Sequence, residues 1–157
     1  MSETAEDVLT TYALGSCIAV AVHDPVARVG GLLHFMLPDS GLDRERGGRQ
    51  PAMFADTGMA LLMREVCARG AQKRRLAVWA AGGAQIVDDK GVFEIGKRNY
   101  LALRKLLWKA GVLLKSEAVG GTVYRTVRLE VASGRLLLRA GGEAERELAA
   151  KENGYGL

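Results

Sequence analysis

Cys17 and His34 are the residues of this chain best suited to covalent chemistry near neutral pH. A thiol becomes an effective nucleophile when a neighbour takes its proton or stabilises the thiolate, and imidazole is the side chain matched to that task. Both histidines and one of the two cysteines fall within "TTYALGSCIAVAVHDPVARVGGLLHFM", residues 10–36. If Asp24 to Ala27 form the turn of a hairpin, His23 faces Arg28, and the same register carried along both strands sets Cys17 opposite His34. Directly opposed residues have Cβ atoms about 4.5–5.5 Å apart, which brings a thiol within reach of an imidazole. A slip of one residue would move them to opposite faces. Attack by such a pair on a carbonyl carbon creates an oxyanion that needs fixed donors. In "LGSC", Gly15 permits a backbone path that leaves the amides of Ser16 and Cys17 pointing outward. A third group usually orients the base; Thr10, Thr11, Tyr12 and Ser16 are the nearby hydroxyls, and composition does not choose among them.

Plainer roles stand beside these. Free cysteine is among the most buried residue types, and Cys67, with no histidine near it in sequence, reads as a packing residue. His23, beside Asp24 and Pro25, reads as a solvated or capping residue of the turn, and a histidine such as His34 inside a strand is often structural. The chain has no CxxC, no histidine pair at helical spacing and no carboxylate cluster of ligand type, so no metal site or cofactor is expected. The "KRR" run at 73–75 reads as a solvated face; a nucleic-acid surface would want more charge and interleaved aromatics.

The elements that must position these groups follow from patterning. "CIAVAV", residues 17–22, alternates small with β-branched side chains and reads as a strand; "HDPVAR" supplies the turn; "VGGLLHFML", 29–37, resumes as a second strand that stops before Pro38. Residues 39–51 are polar and glycine-containing and read as a surface loop. A helix follows, with Leu61, Leu62 and Val66 at helical spacing and an end at Gly70. "LAVWAA", 76–81, reads as a buried strand closed by Gly82 and Gly83. A second amphipathic helix opens near Gly96 and ends at Gly111. Three strand-like pieces come next, at 112–118, 122–132 and 135–140, and the tail from Glu143 reads as a short, fraying helix. Strands at both ends with two main helices between them predict an α/β (α+β) domain, a layered sandwich.

The chain's 157 residues are enough for one domain with its own core, with 1–7 and 143–157 flexible or peripheral. At 48% hydrophobic and 25% charged residues, it lies outside the range of disordered chains. A net charge of +4 is too mild to point to a polyanionic partner. No apolar run approaches the ~18 residues of a membrane helix. "MSETAEDVLTT" lacks a basic n-region followed by an apolar stretch, so a cytoplasmic location and free thiols are expected.

The full set of motifs resembles the CheD family of chemoreceptor glutamine deamidases. It is carried by "TYALGSC" at 11–17, "DPVARVGGLLHFMLP" at 24–38, "FADTGMALL" at 54–62, "GGA" at 82–84, "IGKRN" at 95–99 and "VGGTVYRTVRLEVASGRLLLR" at 119–139, in the family's order. The resemblance implies a protein-glutamine glutaminase that converts glutamines of methyl-accepting chemoreceptors to glutamate, with Cys17, His34 and Thr11 as its catalytic residues. It also implies a CheD-like sandwich of mostly antiparallel strands, no cofactor, receptor cytoplasmic domains as substrate and a CheC-type phosphatase as partner. A binding module without turnover and a thiol-dependent esterase are the alternatives. Gly30 and Gly31 suit either close substrate approach or tight packing, and Asn99 is a weak site candidate. Two departures stand out: only a short acidic segment precedes the threonine motif, leaving that sheet edge in question, and Tyr124 replaces a glycine common before the arginine, away from the catalytic residues.

Overall fold

A computed structural model describes residues 1–86 and 94–149. Among the described residues eight strands form two four-stranded sheets. The first, in the order β3-β2-β4-β5, contains β2 (Ile18–Asp24), β3 (Val29–Phe35), β4 (Ala77–Gly82) and β5 (Ser116–Val119). The second, β1-β6-β7-β8, contains β1 (Val8–Leu14), β6 (Arg125–Glu130), β7 (Leu136–Ala140) and β8 (Arg146–Glu147). All pairings are antiparallel except that of β4 with β5. Helices α2 (Ala55–Ala68) and α3 (Ile95–Ala110) cover the first sheet, and a short α1 (Arg44–Arg49) precedes them.

The alternation in "CIAVAV" decides the layering. Ile18, Val20 and Val22 pack against Met59, Leu62 and Val66 of α2 and Leu103 and Leu107 of α3. Ala19 and Ala21 point the other way, onto Val127, Leu129, Leu136 and Leu138 of the second sheet. β2 is thus buried along its whole length, because it is the central strand of the middle layer. Helices, first sheet and second sheet make three layers, an α+β sandwich as the pattern predicts.

Several expectations are corrected. The hairpin turn is Pro25 to Arg28, with Asp24 opposite Val29, so Ala19 rather than Cys17 faces His34. The physical reason is Asp24, which belongs to the strand: its carboxylate accepts the amides of Val26 and Ala27 at 2.9 and 3.0 Å and shapes the loop from outside it. That carboxylate is fully buried and also receives the Gln72 amide at 2.8 Å and the Arg75 guanidinium at 2.8 Å. Arg75 of the "KRR" run therefore holds the fold together rather than lying on a solvated face.

His23 is buried, not solvated; its Nε2 lies 2.9 Å from the carbonyl oxygen of Val131, and only a glycine at position 134 leaves room for its ring. Cys67 is exposed on α2 rather than packed. Gly30 and Gly31 sit in an unbroken ladder, and a Cβ at Gly31 would lie 2.7 Å from Leu62 Cδ1 and 2.8 Å from Val66 Cγ1, so helix packing explains that glycine. Ahead of the threonine motif there is no separate strand among the described residues: β1 itself carries Thr11, and the segment before it adds only the bridge of Ser2 to Gly30. The start of the tail forms β8 instead of a helix, and residues 150–157 of that tail lie outside the described residues.

Candidate active site

Thr11, Cys17 and His34 arrive from three places. Thr11 is on β1, an edge strand of the second sheet; His34 is on β3, an edge strand of the first; Cys17 immediately precedes β2. His34 shares the inward face with Ala19, its partner across the ladder, and Cys17 packs into the same inter-sheet cluster as Ala19. The corrected register makes Cys17 the diagonal neighbour of His34 rather than the direct one. Both strands advance by one residue, so the two side chains keep a common face, with the roughly 7–8 Å Cα spacing usual for diagonal pairs.

Across the gap between the sheets, Thr11 Oγ1 lies 2.8 Å from His34 Nδ1. Of the hydroxyls left open by the sequence, Thr11 is the one that meets the imidazole. The hydroxyl can donate to Nδ1 or accept from it, and the tautomer in which Nδ1–H donates to Oγ1 is the one that leaves the Nε2 lone pair to accept a proton. Burial lowers the pKa of His34 from its ordinary value and raises that of the Cys17 thiol, the latter partly offset by the cysteine's own backbone N–H. Burial thus favours the neutral form of each group.

The cysteine turn is fixed through three successive carbonyls. Gly15 accepts from the Ala84 amide at 2.8 Å, Ser16 from Asn99 Nδ2 at 3.0 Å, and Cys17 from the Gly83 amide at 2.8 Å. This gives "GGA" and "IGKRN" their roles. Gly82 has φ +110°, and a Cβ there would run into the Cys17 carbonyl oxygen, so only glycine lets β4 end against this turn. Asn99, fully buried on α3, also donates to the Met36 carbonyl at 2.9 Å. One amide thereby ties the cysteine turn to the end of the histidine strand. The signal for this role in the chain is an asparagine in the first turns of an otherwise amphipathic helix, on its core side.

Cys17 lines a cavity of about 500 Å³ together with Ala13, Gly15, Ser16, Ala84, Ile86, Tyr124 and Gly96. Ala13 has φ +54° and lies in a β-bulge of β1, where the register on β6 shifts between Thr11 and Leu14. Tyr124 Cε1 lies 3.1 Å from where a Cβ on Gly15 would sit, so the tyrosine helps wall the Cys17 cavity.

The CheD chemotactic sensory transduction family matches residues 36–140. A protein of Solibacter usitatus named probable chemoreceptor glutamine deamidase CheD is 62% identical over 143 residues, 91% of this chain and 84% of that protein. The chain belongs to the CheD family. A CheD relative from Syntrophus aciditrophicus is 49% identical over 94% of the chain and 92% of its own length. Another from Thermotoga maritima, named chemoreceptor glutamine deamidase CheD, is 41% identical over 92% of the chain and 88% of its own length. The CheD match begins at Met36, so Thr11, Cys17 and His34 lie ahead of it, and the case for them rests on their geometry.

Proposed function

We propose that this chain is a chemoreceptor glutamine deamidase that uses Cys17 as nucleophile, His34 as general base and acid, and Thr11 as the group that orients His34. The observation that carries the reading is the 2.8 Å contact between Thr11 and His34 Nδ1, on the face that His34 shares with Cys17. His34 Nε2 takes the thiol proton as Sγ attacks the side-chain amide carbon of a receptor glutamine. The C=O bond opens to an oxyanion, which the amides of Ser16 and Cys17 receive, with Gly15 leaving the space for it. On collapse the C–N bond breaks, His34 returns the proton to the departing nitrogen, and ammonia leaves a thioester. Water, deprotonated by the same imidazole, then cleaves the thioester to glutamate and the free thiol.

The reading extends to the cytoplasm as the place of action and to a CheC-type phosphatase as partner, both implied by the family resemblance. Among the described residues no helix is long and apolar enough to cross a membrane.

The test is incubation with a receptor cytoplasmic fragment and mass spectrometry of its glutamines. Conversion by the wild type and none by Cys17→Ala is the expected result. Equal conversion by both, or none by the wild type, overturns the reading. A binding titration with the phosphatase examines the partner separately.

A further inference from the structure

Resting on the deamidase reading, we propose that the cavity around Arg125, next to the Cys17 cavity, is an anion subsite that holds a carboxylate of the substrate helix close to the target glutamine. Arg125 opens β6 and sits on its inward face, in line with Val127 and Leu129. It is 9% exposed, yet no carboxylate pairs with it among the described residues. Among the described residues its one side-chain hydrogen bond is a long one, from Nη1 to the Val123 carbonyl at 3.4 Å.

A guanidinium carries five donors, and a desolvated one without a counter-ion is costly unless an anion arrives. The buried Asp24 of this chain shows the opposite arrangement, with Arg75 and three amides closed around it. The donors of Arg125 open instead onto a cavity of about 650 Å³. Burial also lowers the pKa of this guanidinium, and an incoming carboxylate would reverse that cost.

The surroundings suit an anion. Gly96 and Lys97, from the first turn of the 16-residue helix α3, line the cavity, and the helix has no side-chain cap there. The positive end of the helix adds to the attraction. Arg146 stands at the wall without an ion pair among the described residues. Among the described residues two carboxylates also line the cavity, and both are engaged: Glu117 by Tyr100 at 2.7 Å and Arg104 at 3.9 Å, Glu94 by Lys97 at 3.3 Å.

Position relates this pocket to the chemistry. Gln85, Glu94 and Gly96 line both this cavity and the one containing Cys17, so the two are adjoining compartments. Arg125 is also the ladder partner of Leu14, at the root of the cysteine turn. On a substrate helix, residues three or four apart lie on one face about 5–6 Å apart at Cβ. A glutamine entering the Cys17 compartment can then present an acidic neighbour to Arg125, whose planar fork matches a carboxylate.

The experiment compares kcat/KM on two receptor cytoplasmic fragments that differ only in acidic residues within one helical turn of the target glutamine, native or changed to alanine. For the wild type the neutral fragment is expected to lose about tenfold, chiefly through KM, as suits one charge-assisted hydrogen bond. Arg125→Gln should lose a similar factor on the native fragment and no longer distinguish the two, whereas Arg125→Lys should keep part of the preference. Equal rates of the wild type on both fragments overturn the subsite. Should the wild type deamidate neither fragment, the deamidase reading fails, and titration of acetate against acetamide decides the subsite alone. A saturable shift of the Arg125 Nε–H resonance with acetate only supports it; no shift overturns it. Neither the fragment comparison nor the titration depends on a variant that folds.

Discussion

His34 sets the pH behaviour of the proposed chemistry. Burial disfavours its charged form, so the base remains neutral to a lower pH than an ordinary imidazole. The acid limb of kcat/KM is expected below about pH 6.5, the value of a free side chain; a limb above it would contradict that lowering. Burial acts in the reverse sense on Cys17. Iodoacetamide should therefore modify the exposed Cys67 faster than Cys17 at pH 7 in the free protein, as read by peptide mapping. Replacing Thr11 with valine removes one hydrogen bond to the imidazole and is expected to reduce kcat about tenfold with little change in KM. Asn99 belongs to the same scale. Asn99→Leu would leave the Ser16 and Met36 carbonyls without their donor, and since each unmet buried group costs about 1–3 kcal/mol, both the melting temperature and activity should fall. The thiol, the imidazole and their shared face were legible in the chain because they depend on residue identity and strand parity, whereas the choice of Thr11 came from the family resemblance and not from the pattern. The role of Asn99 was not legible, since it is created by three segments distant in sequence.

At the level of elements, parity survived where register did not. The hairpin turn lies one residue later than its composition suggests, because Asp24 shapes the loop while remaining in the ladder. β1 escaped the pattern for a different reason: it is an edge strand, its residues are mostly half-buried or exposed, and a bulge at Ala13 interrupts its alternation. α1 is concealed by Gly47 and Gly48, poor helix formers that Asp43 compensates as a side-chain cap to the Arg46 amide at 2.9 Å. The two long helices and β4 were legible because a large buried face enforces their periodicity. Gly31→Ala tests the contact between β3 and α2. The added methyl has no room against Leu62 and Val66, and a loss of about 1–3 kcal/mol is expected in chemical denaturation, with the ladder partner of His34 unchanged.

Over the whole molecule, the ion pair of Asp24 and Arg75 fastens the β2–β3 hairpin to the segment that follows α2. Burial alone would raise the Asp24 pKa, but Arg75 and the amides of Gln72, Ala27 and Val26 outweigh it and hold the carboxyl far below the usual range. Its contribution to stability is thus complete above the unfolded value near pH ~3.9 and fades only as pH falls towards the depressed folded value. Arg75→Met leaves a buried charge without its partner and is expected to cost about 3–5 kcal/mol. It should also move the acid-unfolding midpoint to higher pH, which a denaturation series from pH 3 to 7 would detect. The layered class was legible from the order and periodicity of the elements, whereas which sheet each strand joins was not, because no local pattern encodes the stacking. That stacking has a consequence for the life of the protein. The bond between Thr11 and His34 crosses from one sheet to the other, so the orientation of the base is a product of tertiary closure and not of any hairpin alone. On the deamidase reading, a nascent or partly opened chain carries the thiol but lacks the aligned imidazole, so action on bystander amides waits until the two sheets have met.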